Sequence, residues 1–118
     1  PQYQDYIART QVNRVFGEIS AAKTAVEENL NRGSFGFDSA DIGMTSSNLM
    51  DGDVPTVSFT SADSGAGTIT AEFGGDAAAI INGNQIRISR TDQGNWTCTT
   101  DLAVDSGYVP AGCTGGGL

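Results

Sequence analysis

The residues of this chain that are most capable of chemistry are two cysteines, Cys98 and Cys113, which are separated by fourteen residues. They could remain free thiols, supply half of a metal site, or form a disulfide bond. A metal site would need two further ligands, and the chain has no histidine to provide them. We therefore expect a disulfide, which implies an oxidising compartment and would stabilise a fold with a loop of this size by about 3 kcal/mol.

Carboxylates offer a second kind of chemistry, but their spacing completes no site. Asp51-Gly-Asp53 and Gly74-Gly-Asp76 could hold Ca²⁺, yet neither has the alternating run of ligands with a distal Glu. Turn formation explains both motifs better, so we expect no metal and no other cofactor. Glu27 and Glu28 are adjacent, and adjacent helical positions point about 100° apart. We interpret this pair as a solvated helix face rather than as an acid and a base.

No arrangement of residues predicts catalysis. Without histidine, the chain lacks the usual general base and every Ser-His or Cys-His pair. Gly65-Ala-Gly67 lacks the lysine and the following helix of a phosphate loop. Asn95-Trp-Thr97 fits an N-glycosylation triplet, but such triplets arise often by chance. We expect a protein that is not an enzyme.

The net charge of −8 is unevenly distributed along the chain. Residues 1–32 balance four acidic with four basic residues, whereas residues 33–118 hold ten acidic residues against Arg87 and Arg90. A negative domain repels phosphate groups. Direct binding of nucleic acid by this domain is therefore not expected.

The elements that must position these residues begin with one amphipathic helix, predicted over residues 1–32. Its apolar residues recur at three- and four-residue intervals, namely Val12, Val15, Ile19, Ala22, Val26 and Leu30. About thirty residues would form a rod of about 45 Å, longer than so small a domain can cover. We expect only the later part, from Val15 to Leu30, to pack on a sheet. The front, with Tyr3, Tyr6 and Ile7, should protrude or continue upstream.

Residues 33–55 are predicted to form a long packed loop, and residues 56–100 an antiparallel meander of about four strands. Apolar residues alternate with polar ones in short segments at 56–59, 68–73, 78–81, 85–89 and 96–99. No apolar run is long enough to span a membrane. The sequence thus predicts one α+β domain over residues 1–118. Because the chain begins at Pro1 without an initiator methionine, we interpret it as a processed or trimmed product.

Four segments in combination resemble the type IV pilins, especially the type IVa pilins of Pseudomonas and related Gram-negative bacteria. These segments are Pro1-Gln-Tyr-Gln-Asp-Tyr-Ile-Ala-Arg9, Ala22-Lys-Thr-Ala-Val-Glu-Glu28, Gly94-Asn-Trp-Thr-Cys98 and Tyr108-Val-Pro-Ala-Gly-Cys113. The resemblance implies a pilin-like fold whose C-terminal loop, residues 98–113, is closed by the disulfide. In the family an apolar front half of the helix, with an N-methylated first residue, precedes this sequence. The resemblance therefore implies that the protein contacts the membrane only through that missing segment, which anchors the subunit in the inner membrane before assembly.

The resemblance further implies a structural subunit of an extracellular type IV pilus that supports surface attachment and twitching motility. Copies would form a helical homopolymer through their N-terminal helices, with Tyr3, Tyr6 and Ile7 as packing residues.

Two other hypotheses stay open. One is an adhesin module that binds a host glycolipid or surface through the disulfide loop, with candidate residues Thr99, Thr100, Asp101, Asp105, Tyr108, Val109, Pro110 and Gly112. The other is a pseudopilin of a type II secretion system, although the C-terminal disulfide pattern favours the pilins.

Overall fold

The computed structural model describes residues 2–118. In it, a helical segment packs on a five-stranded sheet. The helices are α1 (Gln2–Ser20) and α2 (Lys23–Asn31), and the strands are β1 (Thr56–Phe59), β2 (Gly67–Glu72), β3 (Gln85–Arg90), β4 (Trp96–Thr100) and β5 (Cys113–Thr114). This architecture confirms the predicted α+β fold. Pro1, with which the predicted helix begins, lies outside the described residues. No helix within residues 2–118 is both long enough and apolar enough to cross a membrane.

The predicted single helix is interrupted between α1 and α2. The N–H of Ala22 donates to the carbonyl of Ile19, three residues back, as in a 3-10 turn. Ala22 nevertheless keeps helical dihedral angles of φ −79° and ψ −10°, and it stays buried. The break therefore tightens one turn without ending the apolar stripe.

The apolar stripe of the helical segment begins earlier than predicted. The buried helical residues are Ala8, Val12, Val15, Ile19, Ala22 and Val26, while Leu30 is half-buried. The expectation that only the part from Val15 onward packs was therefore wrong. The segment after β2 reaches the front of α1, where the backbone N–H of Ala78 donates to Gln11 Oε1 at 2.8 Å.

The sheet follows the order β1-β2-β3-β4-β5, and its first four strands form the predicted antiparallel meander. The short β5 adds a parallel pairing with β4, in which Cys113 lies beside Cys98. Alternate residues of β2 and β3, such as Ile69 and Ile88, are fully buried under the helices, as their period of two predicted.

The predicted strand at residues 78–81 is wrong, because this segment is a turn. The N–H groups of Ile81 and Asn82 both donate to the carbonyl of Ala78, each at 3.0 Å. Strands β2 and β3 pair with each other directly, and the hairpin continues through two hydrogen bonds of Phe73 with residues 83 and 84. No sheet position is left between them, so residues 74–83 form the hairpin loop.

The loop between α2 and β1 packs into the core and is fastened to α1 by polar contacts. Its buried apolar residues are Phe37, Ile42, Leu49 and Met50. Arg14 Nη2 donates to Asn48 Oδ1 at 2.7 Å, and Ser47 Oγ donates to Glu18 Oε1 at 2.9 Å. These bonds hold the loop against α1 and supplement a core with few large apolar residues.

Candidate functional site

The predicted disulfide between Cys98 and Cys113 is present. The two residues are neighbours on β4 and β5, with their Cα atoms 4.5 Å apart. The bond closes residues 99–112 into a loop, which we call the disulfide loop. It joins the last strand of the sheet to the rest of the fold.

The candidate receptor residues of the disulfide loop lie in different environments. Thr100, Tyr108 and Pro110 are buried; Thr99, Asp101 and Val109 are half-buried; Asp105 and Gly112 are exposed. The polar members support the fold, because Thr100 Oγ1 donates to the Gln85 carbonyl at 2.6 Å and Asp101 Oδ1 accepts from the Gln85 N–H at 2.8 Å. Sequence reasoning missed Val104, which is 74% exposed at the loop surface. Val104 is exposed because it lies in a turn. The sequence gives no sign of this position, because an apolar residue is not typical of an exposed turn.

Tyr108 connects the disulfide loop to the front of α1. Its hydroxyl donates to Asp5 Oδ1 at 2.6 Å across 103 residues of chain. The pKa of Tyr108 is raised above its ordinary value, first by this hydrogen bond to a carboxylate and second by burial. The front of α1 is therefore tethered through its polar side, which the sequence pattern did not predict.

Replacing Tyr108 with Phe should loosen the front of α1. The ring would keep its packing, but the bond to Asp5 would be lost. Amide hydrogen exchange of residues 6–10 should become faster, while residues 15–19, whose stripe lies under the sheet, should be unaffected. Tyr6→Phe, at an exposed tyrosine, serves as the matched control. Unchanged exchange at residues 6–10 in Y108F would show that the tether does not hold the helix.

The front face of α1, defined by Tyr3, Tyr6 and Ile7, is exposed. Residues three and four positions apart lie side by side on a helix, so these side chains form one apolar patch. An exposed apolar patch of this kind is a candidate contact site for another molecule. The sequence pattern had predicted that these side chains extend beyond the part of the helix that packs on the sheet.

A groove of about 350 Å³ adjoins this face, and we call it the front groove. Its lining consists of Gln4, Asp5, Ile7, Ala78, Ala79, Ile80 and Tyr108. The second isoleucine, Ile80, is 62% exposed. Sequence reasoning missed it, because residues 78–81 were predicted as a strand.

Glu27 is not part of a solvated face, contrary to the sequence interpretation. Its carboxylate accepts two hydrogen bonds from Arg90, at 2.6 and 3.0 Å, and one from Trp96 Nε1 at 3.0 Å. Lys23 lies over the Trp96 ring, with Nζ 5.8 Å from the ring centroid. The hydrogen bond from Arg90 is the main reason why the pKa of Glu27 lies below its ordinary value. The pair joins α2 to β3, whereas the adjacent Glu28 is exposed.

Glu27→Gln should lower the free energy of unfolding by about 1–2 kcal/mol at neutral pH, because the nearly buried Arg90 would lose its charged partner. Solvent reaches the Glu27 side chain, which is 36% exposed, and keeps the cost at this modest level. Since folding lowers the pKa of Glu27, its contribution is present at neutral pH and is lost as the pH falls below about 4.5.

Urea denaturation at several pH values checks this prediction. The difference between the wild type and E27Q should shrink as the pH is lowered from about 5 to about 2. Glu28→Gln, at the exposed neighbour, should cost little at any pH. An E27Q effect that does not change with pH would contradict the assigned ion pair.

The acidic turn motifs take part in the fold. Asp76 Oδ2 accepts from Asn48 Nδ2 at 3.0 Å, which helps to join the β2–β3 loop to the loop before β1. Asp53 adopts a positive φ of 71° in its turn. Within the part of the chain that the structure describes, no three carboxylate or thiol side chains gather as a metal site would require.

Comparison with known proteins identifies the family. Residues 8–114 match the family model of the pilins, which are bacterial filament proteins. The chain is 40% identical over 129 residues to the type IV major fimbrial protein FimA of Dichelobacter nodosus, covering 96% of this chain and 81% of that protein. It is 39% identical over 124 residues to a fimbrial protein of Pseudomonas aeruginosa, covering 96% of this chain and 80% of that protein.

A third relative is the type IV major alpha-pilin of Moraxella bovis, which is 39% identical over 132 residues, covering 96% of this chain and 81% of that protein. The matched region contains the buried helical stripe, the sheet and the disulfide. Pilins are structural proteins without enzymatic activity. The chain therefore belongs to the type IV pilin family.

Proposed function

We propose that this chain is the head domain of a major pilin, which polymerises into a type IV pilus through its N-terminal helix. The observation that carries this proposal is the exposed apolar face of Tyr3, Tyr6 and Ile7, found on the helix of a filament-family protein. In a helical polymer each subunit meets its neighbours through repeated heterologous contacts. Such contacts would bury a face that the isolated head leaves in water.

The charge distribution supports the same arrangement. Residues 1–32 carry no net charge, so helices of different copies can approach one another without net repulsion. The net charge of −8 comes from residues 33–118, which contain the sheet and its loops. A filament with helices inside and heads outside would therefore have a negative surface, which opposes lateral aggregation of filaments.

Deletion of the chromosomal gene tests the proposal. Filaments sheared from wild-type cells should contain this chain as their main protein, and the deletion strain should lack them in electron micrographs. Reintroducing the gene should restore the filaments. Filaments of unchanged number and composition in the deletion strain would contradict a major-subunit role.

We propose further that the pilus supports attachment and twitching motility. The relatives named above are fimbrial proteins, which favours a pilus over the pseudopilus of a secretion system. The deletion strain should therefore show no twitching zone on agar, while its secretion of exoproteins should be normal. The reverse pattern would favour the pseudopilin hypothesis.

Receptor binding through the disulfide loop is a second candidate, favoured by the exposure of Val104 and Asp105 on a covalently closed loop. Because Thr100, Tyr108 and Pro110 are buried, a host glycolipid or surface would instead meet the loop at residues 103–105 and 111–112. Purified filaments with Val104→Ser and Asp105→Asn should then bind glycolipid-coated plates more weakly than wild-type filaments. Equal binding by the variant and the wild-type filaments would contradict a receptor site in this loop.

A further inference from the structure

The front groove has an apolar floor that is built into the fold. The turn at residues 78–81, which lines the groove, is fixed at one end by the hydrogen bond from the Ala78 N–H to Gln11 Oε1. At the other end it is fixed by Ile81, which is fully buried. Between these two anchors, Ile80 points outward and is 62% exposed. The fold therefore holds a large apolar side chain in water at a defined position, close to the exposed Ile7 of the opposite wall.

Within residues 2–118, the lining of the groove contains a single charged side chain. Asp5 is the acidic residue of its lining, and its carboxylate accepts the hydroxyl hydrogen of Tyr108. Arg9 follows Asp5 by four residues on α1, so the two side chains are neighbours on the same side of the helix. The part of α1 beside the groove thus combines one negative and one positive charge in a chain whose net charge is −8.

We infer that the front groove, which is lined in part by Ile80, is the docking site for a second copy of this chain. The inference rests on the proposed filament and adds the β2–β3 loop to its subunit contacts. A second copy carries the same net charge of −8, all of it from residues 33–118, so approach along the charge-balanced helical residues 1–32 beside the apolar groove meets the least net repulsion. Ile7 belongs both to the front face and to the groove, which makes the two surfaces continuous.

Ile80→Asp in the chromosomal gene tests this contact. A charge buried in an apolar contact should cost more than the 1.4 kcal/mol that corresponds to tenfold, so the yield of sheared filaments should fall by about tenfold or more. Val54→Asp is the matched control, because Val54 is an exposed valine (39%) that does not line the groove. It should leave the filament yield close to that of the wild type. Immunoblots of whole cells should show that both variant subunits accumulate.

The outcomes separate this inference from the proposed function. Filament loss with I80D but not with V54D supports the groove contact. If the gene deletion removes all filaments but the I80D strain has normal filaments, the groove contact is overturned and the filament function stands. Equal loss with I80D and V54D would also overturn it, since any added charge would then have the same effect.

A second measurement does not depend on tolerance of a charge. With Ile80→Cys, the new thiol can be labelled with a maleimide, because Cys98 and Cys113 are bonded to each other. The thiol should react readily in detergent-dispersed subunits and should be strongly protected in intact filaments. Equal labelling of subunits and filaments would overturn the inference even if the yield of I80D filaments is low.

Discussion

Replacing Cys98 and Cys113 together with alanine should lower the free energy of unfolding by about 2–4 kcal/mol. The native bond limits the freedom of the unfolded chain, and it joins β4 to a strand that pairs with the sheet over only two residues. Alanine is preferred to serine because Cys98 is buried, and a serine hydroxyl there would add a desolvation cost. For a domain with few large apolar residues, this is a large share of the total stability.

Urea denaturation of the double variant measures this effect. The wild-type chain in the presence of a strong reductant is the matched control, and it should unfold near the midpoint of the double variant. Hydrogen exchange should also become faster in residues 99–112 and at the front of α1, which Tyr108 tethers through Asp5. A loss of stability below about 0.5 kcal/mol, the range of an ordinary surface substitution, would contradict a stabilising role for the disulfide.

Ile7→Asp should remove most filaments from cells and change the stability of the isolated chain little. Ile7 is 41% exposed and lies outside the fully buried stripe of α1, so the substitution should cost the monomer less than the filament, in which a neighbouring subunit would have to bury the new carboxylate. Thr24→Asp is a suitable control, since it adds the same charge at an exposed position of α2 away from the front face. It should assemble normally.

Filament counts by electron microscopy and the unfolding midpoints of the purified chains distinguish the two roles of this residue. A large fall in the midpoint of I7D together with normal filaments would place Ile7 in the core of the head. The assembly surface would then have to lie elsewhere.

The parts of the fold that the sequence predicted depend on local patterns. Apolar spacing identified the helical stripe from Val12 to Val26, and alternation identified the strands around Ile69 and Ile88, because burial on one face imposes those periods. The disulfide followed from the presence of only two cysteines. Each of these features can be inferred from residues that are near one another in the chain.

The features that the sequence did not predict depend on contacts between distant segments. Residues 78–81 have a strand-like composition, but direct pairing of β2 with β3 leaves them in the hairpin loop. Glu27 has the composition and spacing of a surface residue, and only the approach of Arg90 from β3 makes it the half-buried partner of an ion pair. The bond between Tyr108 and Asp5 joins residues near opposite ends of the chain. No local periodicity in the sequence encodes these long-range contacts. The candidate surface around Ile80 could therefore be identified only from the folded structure.

The structure of the intact filament, determined by electron cryomicroscopy, is the most direct test of the proposed assembly. We expect the heads to lie on the outside of the filament and neighbouring subunits to cover Tyr3, Tyr6 and Ile7. A filament in which these three side chains remain exposed to solvent, with subunits joined only through other surfaces, would contradict assembly through the front of the helix.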